Sequence, residues 1–447
     1  KQSDSNHHRV SNGAKIMSTS AILVALVSFV LGALLALLTI PVLVWLERRV
    51  AGLIQDRLGP NRTNVFGFRL GGVVQSFADV VKLLLKEEYY PSHIKNGRWL
   101  FMLAPVITFA TALLAFMAIP FADTILIDGE VLRVSPLPID FGVFWYLAIS
   151  SIGVLGVIFG GWLSHNKYAL LGAARAASMV ISYELPLGLS VLAFIIAYDT
   201  VDFNAMVAFQ SGTFFGFLPS WGILVQPLAS IILIVSLFAE TNRNPFTVAE
   251  GESEIVAGFM TEYTAMKFAM YFMGEYVAMN TASAVIITMI FGGYNLPWVS
   301  TGTLLENFSI FALAIMTTMP VVVFVLIKWM RKNNAVRPTV STDDGRNFET
   351  KILSIAMIGM TLLVEAILIY LAFIGESSLA NNVAVTLFQV VVFVVKLMAF
   401  NIFFIIIRWT VPRFRYDQVQ KLGWYYLLPL ALLNLFITAL VVVGVSL

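Results

Sequence analysis

The sequence predicts an all-α polytopic membrane protein of about ten transmembrane helices plus an interfacial amphipathic helix, and three observations predict it. Mean hydropathy is +0.86, and the 447 residues are 59% hydrophobic and only 12% charged, where soluble proteins are about one quarter charged. Apolar runs recur from end to end, each long enough to cross a roughly 30 Å hydrocarbon core as a helix. The connecting segments alternate sharply in basic content, as loops on opposite sides of a membrane do.

The ten expected spans are 20–45, 99–121, 142–163, 178–197, 221–239, 262–290, 304–330, 351–374, 382–407 and 424–446. On one side, segment 46–98 holds nine Lys/Arg, 164–177 two, 240–261 one, 328–351 six and 408–421 four. The opposite loops, 122–141, 198–220, 291–303 and 375–381, hold Arg133 alone. The positive-inside rule places the first set in the cytoplasm or a mitochondrial matrix and the N-terminus outside. The tail "KQSDSNHHRVSNGAK", with Lys1, Arg9 and Lys15, is the one dissenting feature, and it lacks the short apolar core of a cleaved signal peptide.

Within the first basic segment, "GGVVQSFADVVKLLLKEEYYP" places Val73, Val74, Phe77, Val81, Leu84 and Leu85 on one helical face and Gln75, Asp79, Lys82 and Lys86 on the other. Charge interrupts it too often for a span, so it reads as a helix in the membrane interface, ended by Pro91. A packed connector helix without a ligand role is the plain alternative.

Redox centres are constrained by what the chain lacks. With no Cys it holds neither a disulfide nor a cysteine-bound iron–sulfur cluster. His7, His8, His93 and His165 are all remote from the centres of the apolar runs, so no bis-His haem fits between the helices, and His7 and His8 read as a solvated pair. No metal site is expected.

Acid gathers where it is least expected. "AETNRNPFTVAEGESEIVAGF" carries Glu240, Glu250, Glu252 and Glu254 at the edge of an apolar span, and Glu262 follows. Glu250 and Glu254 share a face of any helical turn. Crowded carboxylates in a poorly hydrated place cannot all ionise cheaply, which equips them to exchange protons near neutral pH. A solvated acidic loop is the alternative, but this loop is rich in Phe and Val. Glu184, Glu275, Glu365, Lys267 and Lys396 fall within spans, where ionisable groups are costly and mostly functional; a carboxyl neutralised by a hydrogen bond or a Lys is the structural reading. Pro186 is expected to distort its span locally. Arg48, Arg49, Arg57 and Arg62 either anchor the first span or hold the acidic loop or a soluble partner.

Four stretches, "ERRVAGLIQDRLGPNR" followed by "SFADVVKLLLKE", "AARAASMVISYELPLG", "AETNRNPFTVAEGESEIVAGFMTEY" and "RWTVPRFRYDQVQKLGWYYLLPLALLN", together resemble the membrane subunit called H, or 1, of proton-pumping NADH:quinone oxidoreductase, respiratory complex I. The resemblance runs in order across roughly four fifths of the chain. It implies a subunit with no redox centre of its own (no haem, flavin or iron–sulfur cluster), which encloses the path of a quinone, ubiquinone or menaquinone, from the lipid. The first span, the amphipathic helix and the sixth span frame that path. Its partners are the other membrane-arm subunits and the peripheral-arm subunits at the quinone site, with lipid around it and no nucleic acid. Residue by residue, the resemblance places Arg48, Arg57 and Asp79 along the quinone path and Arg243 and Phe246 by its acidic wall. Glu240, Glu250, Glu252, Glu254 and Glu262 form the junction to proton movement, with Glu184 and Glu275 leading inward. Arg408, Arg413, Arg415 and Asp417 order the last cytoplasmic loop against these acids, and Lys396 falls where the family commonly has an intramembrane Lys.

The chain departs from the family in length. Residues 1–19 form a polar tail, 20–300 a core bundle, 301–380 an inserted pair of spans expected at the periphery, and 381–447 a closing pair. Glu365, on the insert, is expected to be structural. A bacterial plasma membrane is the expected location, a mitochondrial inner membrane the alternative. Two rival readings stay open: the related subunit of a membrane-bound hydrogenase complex, and a standalone cation/proton transporter, which explains intramembrane Glu and Lys but neither the interfacial helix nor the acidic loop.

Overall fold

A computed structural model describes residues 19–446 except 58, 61–62, 66–69, 93, 95–96, 128–129, 215, 250, 335–345 and 371–377. The expected polar tail and Glu250 therefore lie outside the described residues, as do Arg62 and His93. Sixteen α-helices follow in order among the described residues: α1 Thr19–Ile54, α2 Val74–Leu85, α3 Arg98–Phe116, α4 Gly142–Leu163, α5 Lys167–Tyr198, α6 Phe203–Gln210, α7 Gly222–Val225, α8 Pro227–Glu240, α9 Glu252–Ile255, α10 Ala265–Ile290, α11 Thr301–Glu306, α12 Phe308–Asn334, α13 Arg346–Ile369, α14 Ser378–Thr410, α15 Tyr416–Lys421 and, after a π-helical turn Leu422–Leu427, α16 Leu428–Ser446. Among the same residues nine helical stretches are long and apolar enough to cross a membrane. The chain is an all-α polytopic membrane protein, with two short β-hairpins as its only sheets among those residues.

The expected fifth span is the exception to full length. Gln226, at φ −136°, separates the four-residue α7 from α8, and Pro227 then opens α8, where a missing N–H costs nothing. Elsewhere helices outrun their apolar cores. α1 continues to Ile54 and so carries Glu47, Arg48 and Arg49 on helix rather than loop. α5 begins at Lys167 because the Asn166 side chain accepts from the Tyr168 N–H as an N-cap. It then runs as one helix through Pro186 to Tyr198. The amphipathic helix is present as α2, but the chain turns extended at Lys86, so Pro91 is not what ends it.

α10 is the hub. Its span is 83% buried, against 11% for α12 and α13. Its polar side chains bind neighbours: Asn280 Nδ2 donates to Thr39 Oγ1 of α1 at 3.3 Å, Asn401 Nδ2 of α14 donates to Asn280 Oδ1 at 2.9 Å, and Ser283 Oγ donates to Asn401 Oδ1 at 2.9 Å. Unlike apolar contacts, such bonds have no competitor in lipid, which makes them effective glue between helices. At its C-terminal end, Lys396 Nζ from α14 donates to the carbonyls of Phe291, Gly293 and Asn295 at 2.9, 2.9 and 2.6 Å. All three ammonium protons are thereby used, on carbonyls of the cap and loop that follow α10. α12 and α13 pack on one another and show mostly apolar, exposed side chains.

Candidate functional site

A buried cluster of charge forms where four elements meet near the middle of α10. Glu47 of α1 is 7% exposed, and its carboxylate receives Arg243 at 2.8 Å, Arg408 of α14 at 2.5 Å and the Tyr276 hydroxyl of α10 at 2.7 Å. Arg243 also lies 3.9 Å from Glu275 and stacks over the Tyr276 ring, 3.9 Å from its centroid. Two carboxylates thus balance two guanidinium groups. Burial works against the charge on Arg243, but Glu47, Tyr276 and Glu275 outweigh it and raise its pKa above the ordinary value, so this cation does not titrate. The loop that carries Arg243 is fixed by Asn244 Nδ2, which donates to the Arg408 and Val411 carbonyls at 2.6 and 3.2 Å.

On its other side Glu275 lines a cavity of about 100 Å³ walled by α3, α4, α5, α10 and the end of α8. That is room for several waters. Across it lies Glu240, which accepts from the buried Tyr146 hydroxyl at 2.9 Å. Glu184 acts electrostatically on both Tyr146 and Glu240. Threonines 108, 111, 241 and 281 and Asn242 complete the polar lining.

The structure therefore brings together Glu184, Glu240, Glu275 and Arg243, and leaves Glu254 and Glu262 apart from them. Glu254 pairs with Arg175 at 2.6 Å and is 60% exposed, so it is a solvated ion pair rather than one of a crowded set. Glu262 accepts from Asn166 Nδ2 at 2.7 Å. Glu252 begins the single turn α9. Phe246 is buried, edge-on to Tyr183 at 5.4 Å and 5.6 Å from Phe414, where it wedges the loop against α5. Arg48 pairs with Asp79 at 2.6 Å. Arg57 does not join them: it is exposed, and its Nε donates to Gln55 at 2.7 Å. Of the basic residues at the end of α14 and after it, Arg408 reaches an acid of the cluster, whereas Arg413 is exposed and Arg415 lies 3.9 Å from Asp417.

Sequence reasoning missed Glu47, Tyr146 and Tyr276. Glu47 stands in "LERRV", where two arginines beside it read as a basic anchor. Once α1 is taken past Trp45, Glu47 becomes an acid inside a helix, the same signal that singled out Glu184. The tyrosines carried no signal beyond being polar groups on apolar spans.

This fold and site define a class: a polytopic helical membrane protein whose central helix links a buried, charge-balanced cluster to an acid-lined cavity. The model of the family described as NADH dehydrogenase matches residues 26–341 and 345–439, and so runs through α12 and α13. The H subunit of the NADH-quinone oxidoreductase of Flavobacterium psychrophilum is 33% identical over 429 residues, which cover 96% of this chain and 98% of that protein. The H subunit from Bdellovibrio bacteriovorus is 35% identical over 91% of this chain and 93% of its own, and subunit 8 of the Rhodothermus marinus oxidoreductase is 35% identical over 90% and 93%. The chain belongs to the family formed by the H subunits of NADH-quinone oxidoreductases.

Proposed function

We propose that this chain is the quinone-channel and proton-coupling membrane subunit of a bacterial NADH:quinone oxidoreductase, respiratory complex I. It carries no redox centre itself, and works beside other membrane-arm subunits and the peripheral-arm subunits of the quinone site. The observation that carries the reading is the double position of Glu275, 3.9 Å from Arg243 and on the wall of the cavity that Glu240 and Tyr146 share. A line from the charge cluster to the cavity is what coupling between quinone and proton needs.

In this reading α1, α2 and α10 frame a lateral opening for the quinone, which enters as substrate past Arg48 and Asp79. Charge developing near Arg243 competes with Glu275 for that guanidinium, and a proton is the alternative counter-charge for the carboxylate. Glu275 then exchanges protons through the cavity with Tyr146, Glu240 and Glu184, since a hydroxyl can accept and donate in the same step. Glu47 and Arg408 keep Arg243 in place throughout. The side bearing Arg48, Arg243 and Arg408 faces the cytoplasm, following the loop charges, and α12 with α13 forms a peripheral pair. The names of the relatives favour the quinone enzyme over a hydrogenase complex or a lone transporter.

Isolation of the chain in mild detergent with its bound subunits tests this. NADH:quinone reductase activity sensitive to a quinone-site inhibitor is the expected result, with Glu275→Gln and Glu240→Gln complexes assembled but slower. Normal turnover and pumping in both variants would remove these acids from the proton route, and a lone inactive chain would return the transporter reading.

A further inference from the structure

Lys267, on the first turn of α10, takes no part in the charge cluster, and neither does the segment that follows α2. The two meet. Lys267 Nζ donates to Glu88 Oε2 at 2.7 Å and to the Tyr90 hydroxyl, which itself donates to Glu88 at 2.6 Å. The Tyr89 N–H donates to Thr264 Oγ1 at 3.1 Å, just ahead of α10. The Tyr90 ring has Lys267 Nζ 3.8 Å from its centroid and the Arg98 guanidinium, at the start of α3, 3.9 Å away. One tyrosine and one glutamate thus tie the chain leaving α2 to two spans at once, in a place where Lys267 is only 12% exposed. Cations on an aromatic face hold more strongly as they lose water.

α2 lies against α1 and α10 with few buried side chains of its own. Just ahead of it Trp45 Nε1 donates to the Gly71 carbonyl at 3.0 Å, and midway along it Arg48 pairs with Asp79. Along the helix only Val74 and Ser76 are buried, while Phe77, Val81, Leu84 and Leu85 are 54, 53, 58 and 80% exposed. A helix with an exposed apolar face and so few buried side chains owes its position largely to such polar ties.

We infer that the Lys267–Glu88–Tyr90 clamp is a positioning device that sets α2 against α10 and thereby the width of the lateral opening for the quinone. This rests on the quinone-path reading above. The clamp touches no reacting group, so it governs access and leaves the chemical step alone.

The experiment is steady-state kinetics of the assembled complex with a long-tailed quinone. Lys267→Met is expected to raise KM about three- to tenfold with kcat nearly unchanged, and Lys267→Arg, which keeps the charge and the ring contact, to restore it. Glu88→Gln, at a site 38% exposed and tolerant of substitution, carries the same test should Lys267→Met fail to assemble. A disulfide between Tyr89→Cys and Thr264→Cys replaces the clamp in the Lys267→Met background. The chain has no native cysteine, so a bond within it has one possible identity. Closing that bond should return KM to normal and reduction should raise it again. KM unchanged in Lys267→Met and Glu88→Gln, or still raised with the disulfide closed, overturns the inference. Arg48→Ala separates this from the reading beneath it: a raised KM there with none at the clamp sinks the clamp alone, whereas unchanged KM at both sinks the quinone path.

Discussion

Helices α10 and α13 are of similar length, 26 and 24 residues, and each carries one glutamate deep in its span, Glu275 and Glu365. Their surroundings are opposite. The α10 span is the least apolar of the nine and the most buried, while that of α13 is strongly apolar and 11% buried. In water the buried helix is the greasy one; here lipid takes that demand to the outside, and the interior admits polar groups so long as each finds a partner. On α10, Asn280 and Ser283 find theirs on other helices. On α13, Ser354 and Thr361 bond back to their own turn, to the Thr350 and Met357 carbonyls. One helix is knitted into the bundle by polar contacts, and the other merely lies against α12.

The sharpest way to break this contrast is at the buried cluster. Arg243→Met leaves Glu47 and Glu275 facing one cation instead of two, in a site where the arginine is 3% exposed. Removing one partner of a buried ion pair typically costs about 3–5 kcal/mol, so the assembled complex should melt markedly lower or fail to form. Glu47→Gln should cost nearly as much, and the double variant Glu47→Gln with Arg408→Met less than the sum of its parts, because the partner cation leaves with the acid. Thermal melts of the purified complex measure all three. Since the Arg243 pKa is raised, its contribution is present at all lower pH and is lost only above the ordinary arginine range. Between about pH 6 and 8 the arginine itself therefore adds no pH dependence to the penalty for Arg243→Met.

Next in size are the cavity acids. Glu275→Gln and Glu240→Gln should each lower quinone-coupled turnover about 10- to 100-fold, and Tyr146→Phe less, because both carboxyls remain on the cavity wall. Glu365→Gln should do nothing measurable to turnover, although it too removes an intramembrane carboxylate. A fall comparable to that of Glu275→Gln would mean that α13 belongs to the proton route and that burial does not separate the two helices by role.

How far these contrasts were legible in the sequence varies by residue. Hydropathy and loop charge gave the helices and the interfacial α2, because both obey rules one segment at a time. Intramembrane acids drew attention to Glu184, Glu275 and Glu365 alike. Nothing local could tell that Glu275 lies beside Arg243 while Glu365 sits on the sparsely packed pair of α12 and α13, since that depends on which helices neighbour each other. The acidic loop misled for the same reason. Glu240 and Glu254 look equivalent in "AETNRNPFTVAEGESEIVAGF", yet the first closes a cavity with Tyr146, 94 residues away in sequence, and the second meets Arg175 in solvent. Glu47 was hidden by its neighbours: two arginines made its segment look like an anchor, when the acid is the residue on which both distant guanidinium groups converge.

The smallest expected effects come from a matched pair of glycines, and they test burial without touching any charge. Gly156 of α4 faces α3 so closely that an added Cβ would lie 2.7 Å from the Ala104 carbonyl oxygen and 2.9 Å from the Thr108 amide nitrogen. Both are backbone atoms that cannot move aside alone, so Gly156→Ala must push two spans apart, at a cost of about 1–3 kcal/mol. Gly359 of α13 has nothing within 4 Å of the same added atom. There alanine meets no clash and has the better helix propensity, so Gly359→Ala should stabilise its helix by up to about 1 kcal/mol. Melting temperatures of the two variants should therefore move in opposite directions. If Gly359→Ala instead destabilises the assembled complex, a helix of a neighbouring protein packs against that face of α13, and its low burial belongs to the isolated chain and not to the working assembly.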